Sequence, residues 1–152
     1  MELLNLPLHP IKTRTTANGR TEVLDDFRKK YVLLTSEEWV RQQFLWYLVN
    51  EKKYPVSLIS VEKGLTINRL PKRFDAIIYN KKGLPVVLIE YKSHEISLSQ
   101  KVFEQIAMYN LQLQVKFLII SNGLQHFCCI MDYEKQTFRF LEKIPAYSEL
   151  VD

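Results

Sequence analysis

Apolar residues recur at helical spacing shortly after residue 34. Positions three and four apart share one side of a helix, and four large apolar side chains follow this spacing. Thr35 and, three residues later, Glu38 have the sequence of a capping box. The pattern predicts a helix over residues 35–51 with one buried face. That face is formed by Val40, Phe44, Tyr47 and Leu48.

Three apolar segments follow with the length and composition of β-strands. They cover residues 56–62, 73–79 and 85–91. The third contains the uninterrupted apolar run Val86–Ile89, which predicts a strand buried on both faces. A polar turn ending in Gly83 separates the second and third segments, so these two strands are predicted to form a hairpin.

The second half of the chain again predicts a helix followed by strands. Residues 99–113 have helical spacing, and residues 115–121 form an apolar run that Asn122 and Gly123 end. Residues 125–131 and 137–141 predict a closing hairpin, and the tail after Pro145 is expected to be irregular. A hairpin next to a helical crossover implies an α/β fold with a mixed central sheet flanked by helices.

The chain length favours one domain. Its 152 residues include 47% hydrophobic and 25% charged residues, an ordinary globular balance. We expect residues 1–34 to form an N-terminal extension packed on the core, with a small hairpin at Asn18-Gly19. Residues 35–152 form the remainder of this single domain.

The net charge and the cysteines indicate which class of partner and which cellular compartment to expect. The net charge of +4 and the pI of about 9.0 favour an anionic partner such as nucleic acid. Cys128 and Cys129 are adjacent on a predicted strand and point to opposite faces, so no disulfide is expected between them. No signal peptide and no membrane-spanning run is present, which predicts a cytoplasmic protein without membrane contact.

Two carboxylates lie inside the apolar strands of the predicted hairpin. If residues 81–84 form the turn, Asn80 faces Pro85, and the residue numbers of every pair in the hairpin add up to 165. Asp75 and Glu90 also sum to 165 and would then be opposed, with Cβ atoms roughly 5 Å apart. Lys92 is two residues beyond Glu90, so both project from one face.

Two opposed carboxylates repel each other unless a cation lies between them. A divalent ion with oxygen ligands, such as Mg²⁺, meets this need. A neighbouring lysine can orient a water molecule or stabilise charge that builds up on a phosphate. The alternative is a salt bridge at a strand end, but the three residues together favour a site for phosphodiester hydrolysis.

The sequence resembles the PD-(D/E)xK nuclease superfamily. Asp75 followed by Glu90-Tyr91-Lys92 is similar to its D…(D/E)xK signature, although Phe74 stands where proline is common. The order of predicted elements resembles the αβββαβ restriction-endonuclease-like core, with extra C-terminal strands. Five blocks in order resemble the N-terminal nuclease domain of type I restriction enzyme R (motor) subunits, in a stand-alone form. They are residues 33–42, 73–75, 89–92, 103–110 and 121–123.

The resemblance implies roles for individual residues. It implies that Asp75 and Glu90 bind metal and that Lys92 is catalytic. The first helix of the family often adds an acidic residue; Glu37 fits this role, and Glu38 is the alternative. Gln105 and Tyr109 match a Gln-x-x-x-Tyr element that supports the site or contacts DNA; packing with one hydrogen bond is the other interpretation. The implied site is Asp75, Glu90, Lys92, Glu37, Gln105 and Tyr109, with Asp75, Glu90 and Glu37 as metal ligands.

The resemblance implies an Mg²⁺-dependent endonuclease acting on DNA, with Mn²⁺ as a substitute. The chain has no Gly-x-x-x-x-Gly-Lys-Ser/Thr loop for ATP phosphates, so translocation does not follow from it. Two alternatives stay open: a nucleic-acid-binding or assembly module that does not cut, and a nuclease active only with a motor or specificity subunit supplied in trans. A homodimer, which would pair two sites, is a further expectation.

Overall fold

The computed structural model describes residues 1–67 and 69–150. Six side chains within these ranges are outside the description: Leu65, Ile67, Leu70, Lys72, Tyr109 and Gln112. The strands of the described chain are β1 (Thr13–Thr15), β2 (Thr21–Asp25), β3 (Lys30–Leu33), β4 (Ile59–Ile67), β5 (Leu70–Tyr79), β6 (Pro85–Tyr91), β7 (Phe117–Ser121), β8 (His126–Asp132) and β9 (Thr137–Leu141). The helices are α1 (Ser36–Asn50), α2 (Gln100–Asn110) and α3 (Tyr147–Leu150), with single 3₁₀ turns at Val56–Leu58 and Leu111–Leu113.

The strands form a small sheet and a large one. β1, β2 and β3 make an antiparallel three-stranded sheet, while β4 to β9 make a six-stranded sheet in chain order. Neighbours in the large sheet are antiparallel except β6 and β7, which are parallel and joined through α2. This is the predicted α/β class with a mixed sheet between helices, which is confirmed.

The large sheet separates two apolar cores. α1 and α3 pack on one face, where Phe44 and Leu48 meet Ile78 and Ile89. α2 packs on the other face, where Phe103 and Ala107 join a core that includes Leu88. Strand alternation sends successive residues of Ala76–Ile78, Val87–Ile89 and Phe117–Ile120 into opposite cores, so these central strand segments are apolar without interruption.

The N-terminus of α1 follows the predicted capping pattern only in part. The hydroxyl of Thr35 accepts a hydrogen bond from the backbone N–H of Glu38 at 3.0 Å. The Glu38 carboxylate contacts arginines and a glutamine instead of the backbone N–H of Thr35, which donates to Leu33. The first half of the capping box is therefore present, and the side chain of Glu38 has another role.

The N-terminal segment covers the side of α1 that faces away from the sheet. The indole N–H of Trp39 donates to the carbonyl of Glu2 at 2.8 Å. Gln43 exchanges two hydrogen bonds with the backbone of His9, whose ring stacks on Trp46 with centroids 4.3 Å apart. This cover explains why α1 buries residues on more faces than the predicted stripe.

The small sheet contains the predicted hairpin and one more strand. Gly19, with a φ of +82°, lies in the turn between β1 and β2. The sequence did not predict β3, which pairs with β2 and leads into α1. The boundary at residues 34 and 35 stays a prediction.

Three details of the sequence interpretation are wrong. The strand predicted from residue 56 begins at Ile59, because a 3₁₀ turn follows Pro55. Tyr147–Leu150 is helical rather than irregular. On α2, the helical spacing of apolar residues predicts Val102 on the packed face, but Val102 is 37% exposed and the small side chain of Ala107 is buried there instead.

The hairpin of β5 and β6 has the predicted register in its central part. Ala76 pairs with Ile89, so that pair sums to 165, as do the two pairs that follow. At the turn the prediction is wrong by one, because an irregularity after Ile78 places Tyr79, not Asn80, opposite Pro85. The described ladder ends at the Ala76–Ile89 pair, one position before Asp75 and Glu90.

The two cysteines lie in different cores, as strand alternation predicts. Cys128 packs in the core of α1 and Cys129 in the core of α2, and both are free thiols. Burial raises the pKa of the Cys129 thiol to about 12 and raises that of Cys128 as well. Of the helices in the described part of the chain, none has the length and apolar character required to cross a membrane.

Candidate functional site

Asp75 lies at the edge of the β5–β6 ladder and is bound from both sides. One carboxylate oxygen, Oδ2, accepts a hydrogen bond from the backbone N–H of Tyr91 at 2.7 Å. The other oxygen is 3.6 Å from a terminal nitrogen of Arg41, on α1. The side chain is 29% exposed, so it stays reachable from solvent. This bond places the Asp75 carboxylate beside the segment Glu90-Tyr91-Lys92.

Glu90 and Lys92 flank the end of β6. Glu90 is half-buried and pairs with Ile120 of the parallel strand β7. The backbone N–H of Lys92 donates to the carbonyl of Ser121 at 2.9 Å, which extends the contact of the two strands by one residue. The parallel neighbour thus fixes the backbone on which both side chains are mounted.

Glu37 lies in the first turn of α1 with 46% of its side chain exposed. Burial and the negative charge of Asp75 raise the pKa of the Glu37 carboxyl, while Arg41 and Lys92 act in the opposite direction. Glu37 and Asp75 also meet through a shared partner, because the same terminal nitrogen of Arg41 is 3.9 Å from Glu37 and 3.6 Å from Asp75.

Glu38 is the buried carboxylate of the same turn. Its Oε1 accepts hydrogen bonds from Arg28 and Arg41, both at 2.6 Å, and its Oε2 accepts one from Gln42 at 3.0 Å. Only 6% of the side chain is exposed. Glu38 is thus saturated by protein donors, whereas Glu37 faces solvent and has one wide ion pair, 3.9 Å from Arg41.

Glu62 is a further carboxylate at the site that sequence reasoning missed. It contacts three arginines: Arg73 at 3.1 Å, Arg28 at 3.4 Å and Arg41 at 3.5 Å. Its φ of +52° is unusual for a residue other than glycine inside a strand. The available signal was its position, because an acidic residue inside a predicted strand is also what singled out Asp75 and Glu90.

Opposite Glu62, strand β5 departs from regular alternation. Val61 pairs with Ala76 and Lys63 with Phe74, and no pair is described between them. Phe74 packs in the core of α2, whereas Ala76, two residues on, packs in the core of α1. The alternation of β5 side chains between the two cores is thus interrupted at Asp75. The left-handed backbone conformation of Glu62 opposite it costs roughly 1–3 kcal/mol, and such strain is typical of functional sites.

The charges around Arg41 do not balance. Five carboxylates take part in the described ion pairs of this cluster, against three guanidinium groups, leaving two negative charges. The carboxylates belong to Asp25, Glu37, Glu38, Glu62 and Asp75, and the guanidinium groups to Arg28, Arg41 and Arg73. We call these eight residues the charged cluster. Its excess negative charge favours a cation.

An open pocket lies against the charged cluster. Its volume is about 450 Å³, and its lining includes Glu37, Glu38, Arg41 and Glu62. The hydroxyls of Ser36 and Ser93 are 2.8 Å apart at its edge and connect the start of α1 to the residue after Lys92. A larger cavity of about 660 Å³ has mostly apolar walls between the N-terminal segment and α1, and none of the proposed catalytic residues lines it.

The Gln-x-x-x-Tyr element is on α2, away from the charged cluster. Gln105 is exposed and takes part in none of the hydrogen bonds or ion pairs of the cluster. The backbone of Tyr109 is helical, and its side chain lies outside the described residues. Across the described ranges, no three His, Cys, Asp or Glu side chains are grouped as the ligands of a metal ion.

The fold and the charged strand ends define a restriction-endonuclease-like α/β domain. Residues 36–145 match the family model of the type I restriction enzyme R protein N terminus. Since that match covers well over half of the chain, the protein belongs to this family. A comparison with curated proteins finds no significant match.

Solved structures of similar fold include longer proteins. A fragment described as an HsdR subunit of a type I restriction enzyme from Vibrio vulnificus is 21% identical, with a TM-score of 0.53; the match covers 77% of this chain and 24% of that one. A protein from Anabaena variabilis described as a nuclease is 12% identical, with a TM-score of 0.49, over 90% and 86% of the two chains. The DrdV–DNA complex is 15% identical, with a TM-score of 0.44, over 76% and 11%. The chain thus spans about a quarter of the length of the Vibrio structure.

Proposed function

We propose that this domain is a metal-dependent nuclease that hydrolyses DNA phosphodiester bonds. The observation that carries the proposal is that Asp75 and Glu37 lie 3.6 and 3.9 Å from one terminal nitrogen of Arg41, while the backbone N–H of Tyr91 ties Asp75 to the segment of Glu90 and Lys92. Membership of the restriction-enzyme family and the net charge of +4 support a DNA substrate.

The donor set fits a hard divalent cation in charge and chemistry. The charged cluster has a formal charge of −2, part of which Lys92 offsets at Glu37, and carboxylate oxygens are the ligands that Mg²⁺ and Mn²⁺ prefer. Asp75, Glu90 and Glu37 would hold the ion. Because these side chains are not grouped as a ligand set, binding requires them to reorient.

Bound Mg²⁺ would act as a Lewis acid toward the phosphate and lower the pKa of water. The protein's own contribution is to position charges for this chemistry. Lys92 is half-buried, its backbone is held by β7 at the end of β6, and its positive charge opposes the rise in the pKa of Glu37. Such a preorganised cation stabilises negative charge that develops on a phosphate oxygen in the transition state.

Gln105 and Tyr109 are assigned a contact with DNA rather than with the metal ion. Gln105 is exposed and makes no described contact with the charged cluster, which argues against a role in holding the carboxylates. An exposed amide on a helix can donate to a phosphate oxygen. Substitution of Gln105 would then raise the KM for DNA and leave kcat unchanged.

A nuclease that depends on a partner is a second candidate. The chain covers 24% of the Vibrio vulnificus structure, so similar domains occur within longer proteins. A motor or specificity subunit supplied in trans would deliver DNA to the site. In that case the isolated chain binds metal but cuts poorly until the partner is added. Pairing of two sites in a homodimer stays a prediction.

The test is a cleavage assay on linear, circular, nicked and single-stranded DNA, with Mg²⁺, with Mn²⁺ and with EDTA. The Lys92→Ala variant is the negative control for contaminating nuclease. Lys101→Ala is the matched control, because Lys101 is exposed on α2. We expect metal-dependent cutting by the wild type and by Lys101→Ala only. Metal binding without cutting on any DNA favours the partner-dependent form, and DNA binding without metal binding favours a module that does not cut.

A further inference from the structure

Arg28 lies in the turn between β2 and β3 and points into the protein. Only 14% of its side chain is exposed. Its Nε donates to Asp25, which is fully buried and also accepts the backbone N–H of Phe27 at 2.8 Å. A guanidinium held inward by carboxylates in this way is not available to an external anion such as a phosphate.

Two carboxylates connect Arg28 to Arg41. Glu38 Oε1 accepts hydrogen bonds from both arginines at 2.6 Å. Glu62 is 3.4 Å from Arg28 through Oε2 and 3.5 Å from Arg41 through Oε1. The two guanidinium groups are therefore joined by two parallel carboxylate bridges, one from α1 and one from β4.

Arg41 also contacts the candidate catalytic carboxylates. Its terminal nitrogen NH2 is 3.6 Å from Asp75 and 3.9 Å from Glu37. The side chain is 5% exposed, and its Nε is buried with no hydrogen-bond partner among the described residues. Burying a charge with an unsatisfied donor is costly, so the position of Arg41 depends on the carboxylates that surround it.

We propose that the N-terminal three-stranded sheet completes the candidate site. Arg28 is a positioning residue: through Glu38 and Glu62 it fixes Arg41, and Arg41 in turn fixes Asp75 and Glu37. The family model matches residues 36–145, so Arg28 and Asp25 lie outside the matched segment. The proposal that this arrangement serves catalysis rests on the proposed function, whereas the linkage itself does not.

The first test needs no metal and no DNA. The thermal shifts of Arg28→Gln, of Asp75→Asn and of the double variant are measured on the full chain. Residues in one ion-pair network couple, so we expect the shift of the double variant to differ from the sum of the two single shifts. Arg14→Gln is the matched control in the same sheet, because Arg14 is 55% exposed and pairs with Glu22. Its shift should add to that of Asp75→Asn.

The second test is Mn²⁺ affinity measured by electron paramagnetic resonance. Arg28→Gln should weaken Mn²⁺ binding on the order of 10-fold, as loss of a supporting residue around a metal site does. It should lower kcat with little change in KM, and Arg28→Lys should recover part of the affinity. Arg14→Gln should match the wild type in all three quantities.

The outcomes separate this inference from the proposed function. Additive shifts for Arg28→Gln and Asp75→Asn overturn it, and so does wild-type Mn²⁺ affinity in a folded Arg28→Gln variant. If the wild type neither binds Mn²⁺ nor cuts DNA, the proposed function fails. The thermal shifts of the single and double variants then still test whether Arg28 and Asp75 are coupled. Should Arg28→Gln not fold, Arg28→Lys replaces it in both tests.

Discussion

The Asp75 carboxylate accepts the backbone N–H of Tyr91 at 2.7 Å. This single bond fixes β5 to β6 between the two charged residues of the Glu90-Tyr91-Lys92 segment. The second oxygen of Asp75 is 3.6 Å from a terminal nitrogen of Arg41, a residue that lines the open pocket. Asp75 therefore connects the β5–β6 hairpin to α1, and this geometry allows several predictions.

The two adjacent glutamates of α1 should respond differently to the same substitution. Glu37→Gln removes a half-exposed carboxylate with one wide ion pair, so it should leave the unfolding temperature nearly unchanged and lower Mn²⁺ affinity about 10- to 100-fold. Glu38→Gln breaks two buried ion pairs at 2.6 Å and should lower the unfolding temperature markedly. Thermal unfolding and Mn²⁺ titration of both variants check this. The reverse order of effects would assign the metal to Glu38.

Replacement of Arg41 should destabilise the fold. Arg41→Gln leaves Glu38 and Asp75 without one cation partner, and loss of one side of a buried ion pair costs about 3–5 kcal/mol. The control is Arg73→Gln, because Arg73 is 71% exposed and pairs with the same Glu62; it should cost less than about 1 kcal/mol. Urea unfolding measures both. Equal costs would show that burial does not matter at this cluster.

Gly123 is held by close packing as well as by its backbone conformation. Its φ is +86°, and an added Cβ would be 2.7 Å from Leu4 and 3.1 Å from Val40. Gly83 has a similar φ of +81° with nothing within 4 Å of an added Cβ. Gly83→Ala therefore measures backbone strain alone, roughly 1–2 kcal/mol, and Gly123→Ala should cost about 1–3 kcal/mol more. Free energies of unfolding that agree within error would contradict the packing argument.

Stability should fall as the pH drops below about 6.5, in part because of His126. Its Nε2 donates to the carbonyl of Asn5 at 2.9 Å, and in the neutral ring Nδ1 accepts the hydroxyl of Ser121 at 2.7 Å. Burial lowers the pKa of His126 from 6.5, the bond to Asn5 opposing this in part. The unfolded chain therefore takes up the proton first, and the free energy of unfolding decreases as the pH falls.

Urea midpoints at about pH 7.5 and 5.5 for the wild type and for His126→Gln measure this contribution. The variant should lose less stability on acidification than the wild type. His9, whose pKa burial also lowers, is present in both proteins and cancels in the comparison. An equal loss in the two proteins would mean that His126 titrates alike in the folded and unfolded states.

The parts of the fold that local patterns determine could be predicted. The apolar stripe of α1, the apolar run of β6 and the register of the β5–β6 hairpin follow from spacing alone, as Ala76 opposite Ile89 shows. Spacing also separated the two cysteines into different cores. These features depend on the periodicity of apolar residues and on residues close in sequence, and both can be read from a single sequence.

The contacts of the charged cluster could not be predicted, because they join residues far apart in the sequence. Arg28 meets Glu38 and Glu62 only after the small sheet has packed on α1 and β4. The side-chain direction of Glu62 depends on a φ of +52°, which no periodic pattern displays. The sequence thus indicated Asp75, Glu90 and Lys92 but not the arginines that surround them.

The most direct test of the central claim compares Asp75→Asn with Lys92→Ala in two assays on the same preparations. Asp75 is proposed as a metal ligand and Lys92 as a cation that acts on the phosphate. Asp75→Asn should therefore lose both Mn²⁺ binding and DNA cleavage, while Lys92→Ala should bind Mn²⁺ like the wild type and lose cleavage. Mn²⁺ binding that survives in folded Asp75→Asn, or cleavage that survives in Lys92→Ala, would contradict the assignment of this site.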